Sequence, residues 1–143
     1  MSTQKKTADL LSILKDAETQ GDLQRYIEDT AAYATDYVTY INELTHSRGI
    51  EKTDLIAATG IERTYLYQCL NGTRNPGRDY AIAICLAAKC TLEETTRCLE
   101  LLSAGILYAK NKRDAILIYA INRSMSVNQT NELLFQMKEA TLV

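Results

Sequence analysis

At 143 residues the chain fits one domain, or a small domain with added helices, and can bury a core without disulfide staples. Hydrophobic residues make up 46% and charged residues 24%, an ordinary globular balance, and the longest apolar run, Tyr80 to Ala88, is far too short to span a bilayer. The net charge of −2 argues against a generic polyanion binder. The charge is uneven: residues 1–45 carry a net −4, while residues 46–80 and 81–143 each carry +1. Lys5 and Lys6 are followed by Asp9, Lys15 and Asp16, which interrupt any signal-peptide core, so a cytoplasmic protein without a membrane segment is expected.

The apolar spacing predicts helices throughout, because no stretch alternates long enough to suggest a half-buried strand. The first helix is expected from about Lys6 to Thr19, with Leu10, Leu11, Ile13, Leu14 and Ala17 as its apolar side and Gly21 as its breaker. Asp22 then caps a long helix running to Arg48. On it Tyr26, Thr30, Tyr33, Tyr37, Tyr40, Ile41 and Leu44 recur at spacings of three and four, and Gly49 ends it. From Tyr37 onward this stripe suits a core; its first half suits either packing on the Leu10–Leu14 helix or a contact with another subunit.

Residues 53–72 carry the most information. They predict two short helices joined at Gly60, with Leu55, Ile56, Ile61, Leu66 and Leu70 facing inward and Arg63, Thr64, Tyr67 and Gln68 free to face outward. A turn-rich Asn71–Arg78 connection follows, then a helix from about Gly77 to Lys89 that is apolar nearly all round. Thr91-Leu-Glu-Glu94 is a capping box opening a helix that Gly105 ends, with Leu92, Leu99, Leu101 and Leu102 as its apolar positions. Two more helices are expected, from about Lys112 to Asn122 and from about Val127 to Ala140, the second opened by the capping box Ser126-Val-Asn-Gln129. On the last helix Leu133, Leu134, Phe135 and Met137 are the apolar set.

Cys69, Cys85, Cys90 and Cys98 lack zinc-site spacing, and the single His46 cannot complete a Cys/His cluster, so neither a metal nor a cofactor is implied. Buried thiols are the plain expectation; a redox sensor is the sharper alternative and needs an exposed thiol of low pKa. No glycine-rich phosphate loop, paired acid cluster or nucleophile elbow is present, so no catalytic constellation points to an enzyme.

Leu55-Ile-Ala-Ala-Thr-Gly60-Ile61, then Leu66, Asn71-Gly72-Thr-Arg74-Asn-Pro76, the alanine-rich helix and Leu92-Glu-Glu94 together resemble the Cro/phage-repressor (Xre-type) helix-turn-helix domain over residues 37–104. Leu101–Tyr108 and Lys112-Arg-Asp114 resemble the C-terminal extension of a Gram-positive bacterial subgroup. The resemblance implies an all-α, lambda-repressor-like domain with an N-terminal helical arm over 1–36 and a C-terminal extension over 105–143 packing on it. It implies a transcriptional regulator, most simply a repressor, that binds double-stranded DNA as a homodimer reading a two-fold operator.

By matched position Arg63, Thr64 and Gln68 read bases, Arg63 pairing best with guanine and Gln68 with adenine, while Tyr67 meets a thymine methyl or a phosphate. Lys52, Asn71, Arg74 and Arg78 are the expected phosphate contacts. Each of these has a plainer explanation as solvated surface, and Lys110–Arg113 is better explained as a solvated turn than as a second nucleic-acid contact. The chain departs from the family at Ile56, where alanine is common, and at Glu51 and Glu62, where serine or threonine is common. The acidic N-terminal arm and Glu62 motivate a second hypothesis: an antitoxin-like, phage-defence or adaptor module that binds a protein partner.

Overall fold

The computed structural model describes residues 7–30 and 35–143, and all their regular structure is helical. The chain divides into two compact units, Met1–Thr35 and Asp36–Val143.

The first unit holds α1 (Thr7–Asp16) packed on α2 (Gln20–Thr30). The boundary differs from the sequence expectation. Gly21 lies inside the first turn of α2 rather than between the helices. Thr19 is the capping residue: its hydroxyl accepts from the Asp22 amide at 3.0 Å, and the Asp22 carboxylate accepts from the Glu18 and Thr19 amides. Two reciprocal caps outweigh one glycine's weak preference for ending a helix.

The expected long helix over 22–48 is also corrected. A new helix, α3 (Tyr37–Ser47), starts after Asp36, whose backbone is extended at φ −117°, ψ 169° and whose carboxylate accepts from the Thr39 amide at 2.7 Å. An aspartate that can cap locally offers the chain an alternative to continuing a helix. Tyr26 thus belongs to one unit and Tyr37, Tyr40, Ile41 and Leu44 to the other; Tyr33 lies outside the described residues.

The second unit adds α4 (Lys52–Thr59), α5 (Arg63–Asn71), α6 (Arg78–Ala87), α7 (Leu92–Leu101), α8 (Lys112–Asn122) and α9 (Val127–Gln136). The α6 helix is its centre. Residues 81–86 are all buried, and α6 packs against α4, α7 and α9. The α3 helix packs on α5 and α7, and α8 on α7 and α9. Ile41, Leu55, Leu66, Ile82, Ile84, Leu99, Leu117 and Leu134 are fully enclosed. Each such side chain contributes about 1.5–3 kcal/mol of burial free energy.

Both sequence-predicted capping boxes form, at Thr91/Glu94 and at Ser126/Gln129. The C-terminal ends fall earlier than expected for two helices. The α7 helix stops at Leu101 with Ser103 left-handed at φ 51°, before Gly105; α9 stops at Gln136 with Lys138 at φ 63°. Phe135 is not an inward position on α9: it is 76% exposed, while Leu134 beside it is buried.

Crossed ion pairs tie the α6 N-terminus to the α8 N-terminus. Arg78 pairs bidentately with Asp114 at 2.9 Å, and Arg113 pairs with Asp79 at 2.8 and 3.1 Å.

Candidate nucleic-acid interface

The α4–α5 connection is three residues long. Gly60 takes the left-handed conformation, φ 73°, ψ 6°, and its amide donates to the Ile56 carbonyl at 3.1 Å. A residue with a Cβ pays a strain cost there, which explains the glycine. Ile61 turns inward and is 2% exposed; its amide donates to the Thr59 hydroxyl, which in turn donates to the Leu55 carbonyl. Glu62 then caps α5, its carboxylate accepting from the Tyr65 amide at 2.9 Å.

Leu66, Cys69 and Leu70 form the buried side of α5. Asn42 of α3 anchors its far end, its side-chain amide donating to the Leu70 carbonyl at 2.9 Å and to the Val38 carbonyl at 2.8 Å. The sequence offered little signal for this role, since an asparagine on an amphipathic helix reads as surface. With one side fixed, Arg63 and Thr64 are exposed, and Tyr67 and Gln68 are half-buried.

Two small networks organise the outer face. The Tyr67 ring receives two cations: the Lys52 ammonium lies 5.7 Å from its centroid and the Arg63 guanidinium 5.3 Å. Arg63 also donates to the Tyr67 hydroxyl at 3.4 Å. Further along α5, Arg74 donates to the Gln68 side-chain oxygen at 3.1 Å and lies 5.1 Å from the Tyr65 ring, which meets Tyr80 edge-on. Exposed cation–π contacts of this kind are each worth about 0.5–1 kcal/mol, enough to bias side-chain positions without locking them. Asn71 closes the end of α5, its side chain accepting from the Thr73 amide at 2.9 Å.

The structure therefore gathers Lys52, Arg63, Thr64, Tyr67, Gln68, Asn71 and Arg74 on and around α5. An open groove of about 710 Å³ beside them is lined by Thr39, Glu43, His46, Glu51, Lys52 and Tyr67, among others. Arg78 is not part of this set. Its donors are taken by Asp114 and by the Gly105 and Ile106 carbonyls.

The two acidic residues that depart from the resembled pattern fall at helix starts. Glu51 precedes α4, and its amide donates to the Asp54 carboxylate at 2.8 Å; Glu62 precedes α5. Amide hydrogen bonds from Tyr65 and then Thr64 hold the Glu62 carboxyl below its ordinary range. Both helix starts thus present a carboxylate. Across Asp36–Val143 basic and acidic residues number twelve each, so this unit has no net charge. Among the described residues no cluster of His, Cys, Asp and Glu could hold a metal ion, and no helix is long and apolar enough to cross a membrane.

Comparison with protein-family models, curated proteins and solved structures finds no match for this chain.

Proposed function

We propose that the Asp36–Val143 unit is a lambda-repressor-like helix-turn-helix module that binds double-stranded DNA sequence-specifically, and that the protein is an Xre-type regulator, most simply a repressor, acting as a homodimer. The observation that carries this reading is the α4–Gly60–α5 arrangement: α5 buries Leu66, Cys69 and Leu70 and leaves Arg63, Thr64, Tyr67 and Gln68 on one outer face flanked by Lys52, Asn71 and Arg74. A short helix with a polar outer face and flanking cations has what base-edge readout in a major groove needs. One such helix covers too few base pairs for specificity, so two copies about 34 Å apart on one side of the duplex complete the operator.

The test is selection from random duplex DNA at moderate salt, followed by anisotropy titration of the selected site. Arg63→Ala should cost about 1–3 kcal/mol and relax one base position, while Arg74→Ala should weaken all sequences alike. Unchanged binding by both variants would sink this reading.

A second reading has its own observation. The carboxylates of Glu51 and Glu62 stand at the α4 and α5 starts, where phosphate would otherwise be favoured, and the unit has no net charge. This favours an antitoxin-like, phage-defence or adaptor module that binds a protein. Partner binding that ignores salt between about 50 and 200 mM separates it from DNA binding, whose affinity falls steeply over that range.

A further inference from the structure

Cys85, Cys90 and Cys98 lie together where α3, α6 and α7 meet, a place the proposed DNA face does not use. Cys85 and Cys90 sit at the two ends of the α6 C-terminal turn. The Cys90 amide donates to the Cys85 carbonyl at 3.0 Å and the Lys89 amide to the Leu86 carbonyl at 3.1 Å, with Lys89 left-handed between them. This is a Schellman closure, which brings the side chains at its two ends into contact. Cys90 and Cys98 are the neighbours that act most strongly on the Cys85 thiol, which stands with them in one buried cluster.

Two further groups converge here. Arg48, at the end of α3, places a guanidinium nitrogen 4.0 Å from the Cys90 sulfur while holding Glu94 at 2.7 Å with another. Tyr37 is 4% exposed, its hydroxyl has no hydrogen-bond partner, and its electrostatic neighbours are the four thiols. Cys90 is 7% exposed, against 0% for Cys85 and Cys98. All four thiols are buried, so the exposed sensor thiol considered from the sequence is absent; Cys90, beside the Arg48 guanidinium, is the most accessible of these three and the first that an oxidant reaches.

We propose that Cys85 and Cys90 form a reversible disulfide when the protein meets a hydroperoxide, with Cys90 as the attacking thiol and Cys85 as the resolving one. The Cys90 thiolate attacks a peroxide oxygen, the O–O bond breaks, and the hydroxide released takes up the thiol proton to leave water. Cys90 is then a sulfenic acid. The Cys85 sulfur attacks the Cys90 sulfur, the S–O bond breaks, and the hydroxyl leaves as water with the Cys85 proton. Two thiols and one hydroperoxide thus give one disulfide and two waters (a water and an alcohol for an alkyl hydroperoxide), and a dithiol reductant reverses the outcome. The titration order agrees: the adjacent Cys85 thiol favours the Cys90 thiolate, whereas Cys85 itself is held protonated.

Trypsin separates the players, because Arg74, Arg78, Lys89, Arg97 and Lys110 place Cys69, Cys85, Cys90 and Cys98 in four different peptides. Intact protein is treated with hydrogen peroxide, blocked with an alkylating agent, and mapped without reduction. The expected result joins peptide 79–89 to peptide 90–97, and dithiothreitol separates them again. Arg48→Gln should slow the joining about tenfold, the loss of thiolate expected from removing a neighbouring cation. Peptides that stay separate while circular dichroism shows a folded helical protein overturn the proposal. So does a link through Cys98 or Cys69 in place of Cys90. An Arg48→Gln rate equal to the parent's overturns the Arg48-assisted attack.

Discussion

Arg63 and Arg78 are both arginines at the first position of a helix, and their surroundings give them opposite roles. Arg63 donates to the Tyr67 hydroxyl at the exposed surface and stays available; Arg78 spends its donors on Asp114 and two carbonyls. Removing one partner of a largely enclosed ion pair leaves the other without its bonds, so Asp114→Asn should cost about 2–3 kcal/mol at neutral pH. The pH dependence has a definite sign. The Arg78 hydrogen bonds hold the Asp114 carboxyl below its ordinary range, outweighing burial. A carboxyl depressed in the folded state contributes stability above its unfolded value of about 4, and that contribution disappears as pH falls through the folded value. Parent and Asp114→Asn melts should therefore differ most at pH 7 and converge towards pH 3. Glu62 offers a second measurement. Glu62→Ser keeps a capping oxygen for α5 and removes a charge, so on the proposed DNA-binding reading affinity for DNA should rise, most at low salt. Unaltered affinity at about 20 mM salt would count against α5 facing phosphate.

Helix ends set the next scale. Five helices, α3 and α6 to α9, close with a left-handed residue after the C-cap, and only after α3 is it a glycine, Gly49. Lys89, Ser103, Ser124 and Lys138 hold the other four positions. A non-glycine residue pays about 1–2 kcal/mol for that conformation, partly offset by the extra freedom glycine gives the unfolded chain. Ser124→Gly should raise stability by about 0.5–1 kcal/mol in urea denaturation, with an unchanged slope. The same ends explain what the sequence made legible. Helix starts were readable where Thr91 and Ser126 carry the capping-box spacing, and α8 starts at Lys112 as expected, with Asn111 as its cap. Ends at Ser103 and Lys138 were not, because neither residue type announces a left-handed turn. The break at Asp36 was missed because tyrosine spacing continues across it, while the carboxylate that stops the helix acts over one turn only. On the candidate face the placement of Arg63, Thr64, Tyr67 and Gln68 followed from the inward set of α5. The pairing of Arg78 with Asp114 spans 36 positions and depends on how α8 docks, which no local pattern encodes.

At the scale of the molecule, Asp36–Val143 encloses its own core of buried residues, whereas α1 and α2 leave Leu11, Leu23 and Ile27 62%, 44% and 52% exposed. A fragment of residues 36–143 should melt cooperatively on its own, and one of residues 1–35 should remain unfolded, since chains below about 40 residues rarely close a core unaided. Calorimetry of the two fragments checks both. A 36–143 fragment without a cooperative transition would show that the arm is needed for folding.

The crossed Arg78–Asp114 and Arg113–Asp79 pairs also bear on how genetics of this protein will read. On the proposed DNA-binding reading, a selection scored on operator occupancy should return Arg78 and Asp79 beside Arg63 and Gln68, although the first two act by holding α8 to α6. The two groups part when survivors are grown warm and cold. Variants of the braces should regain occupancy in the cold as folded protein accumulates, and variants of the reading face should not.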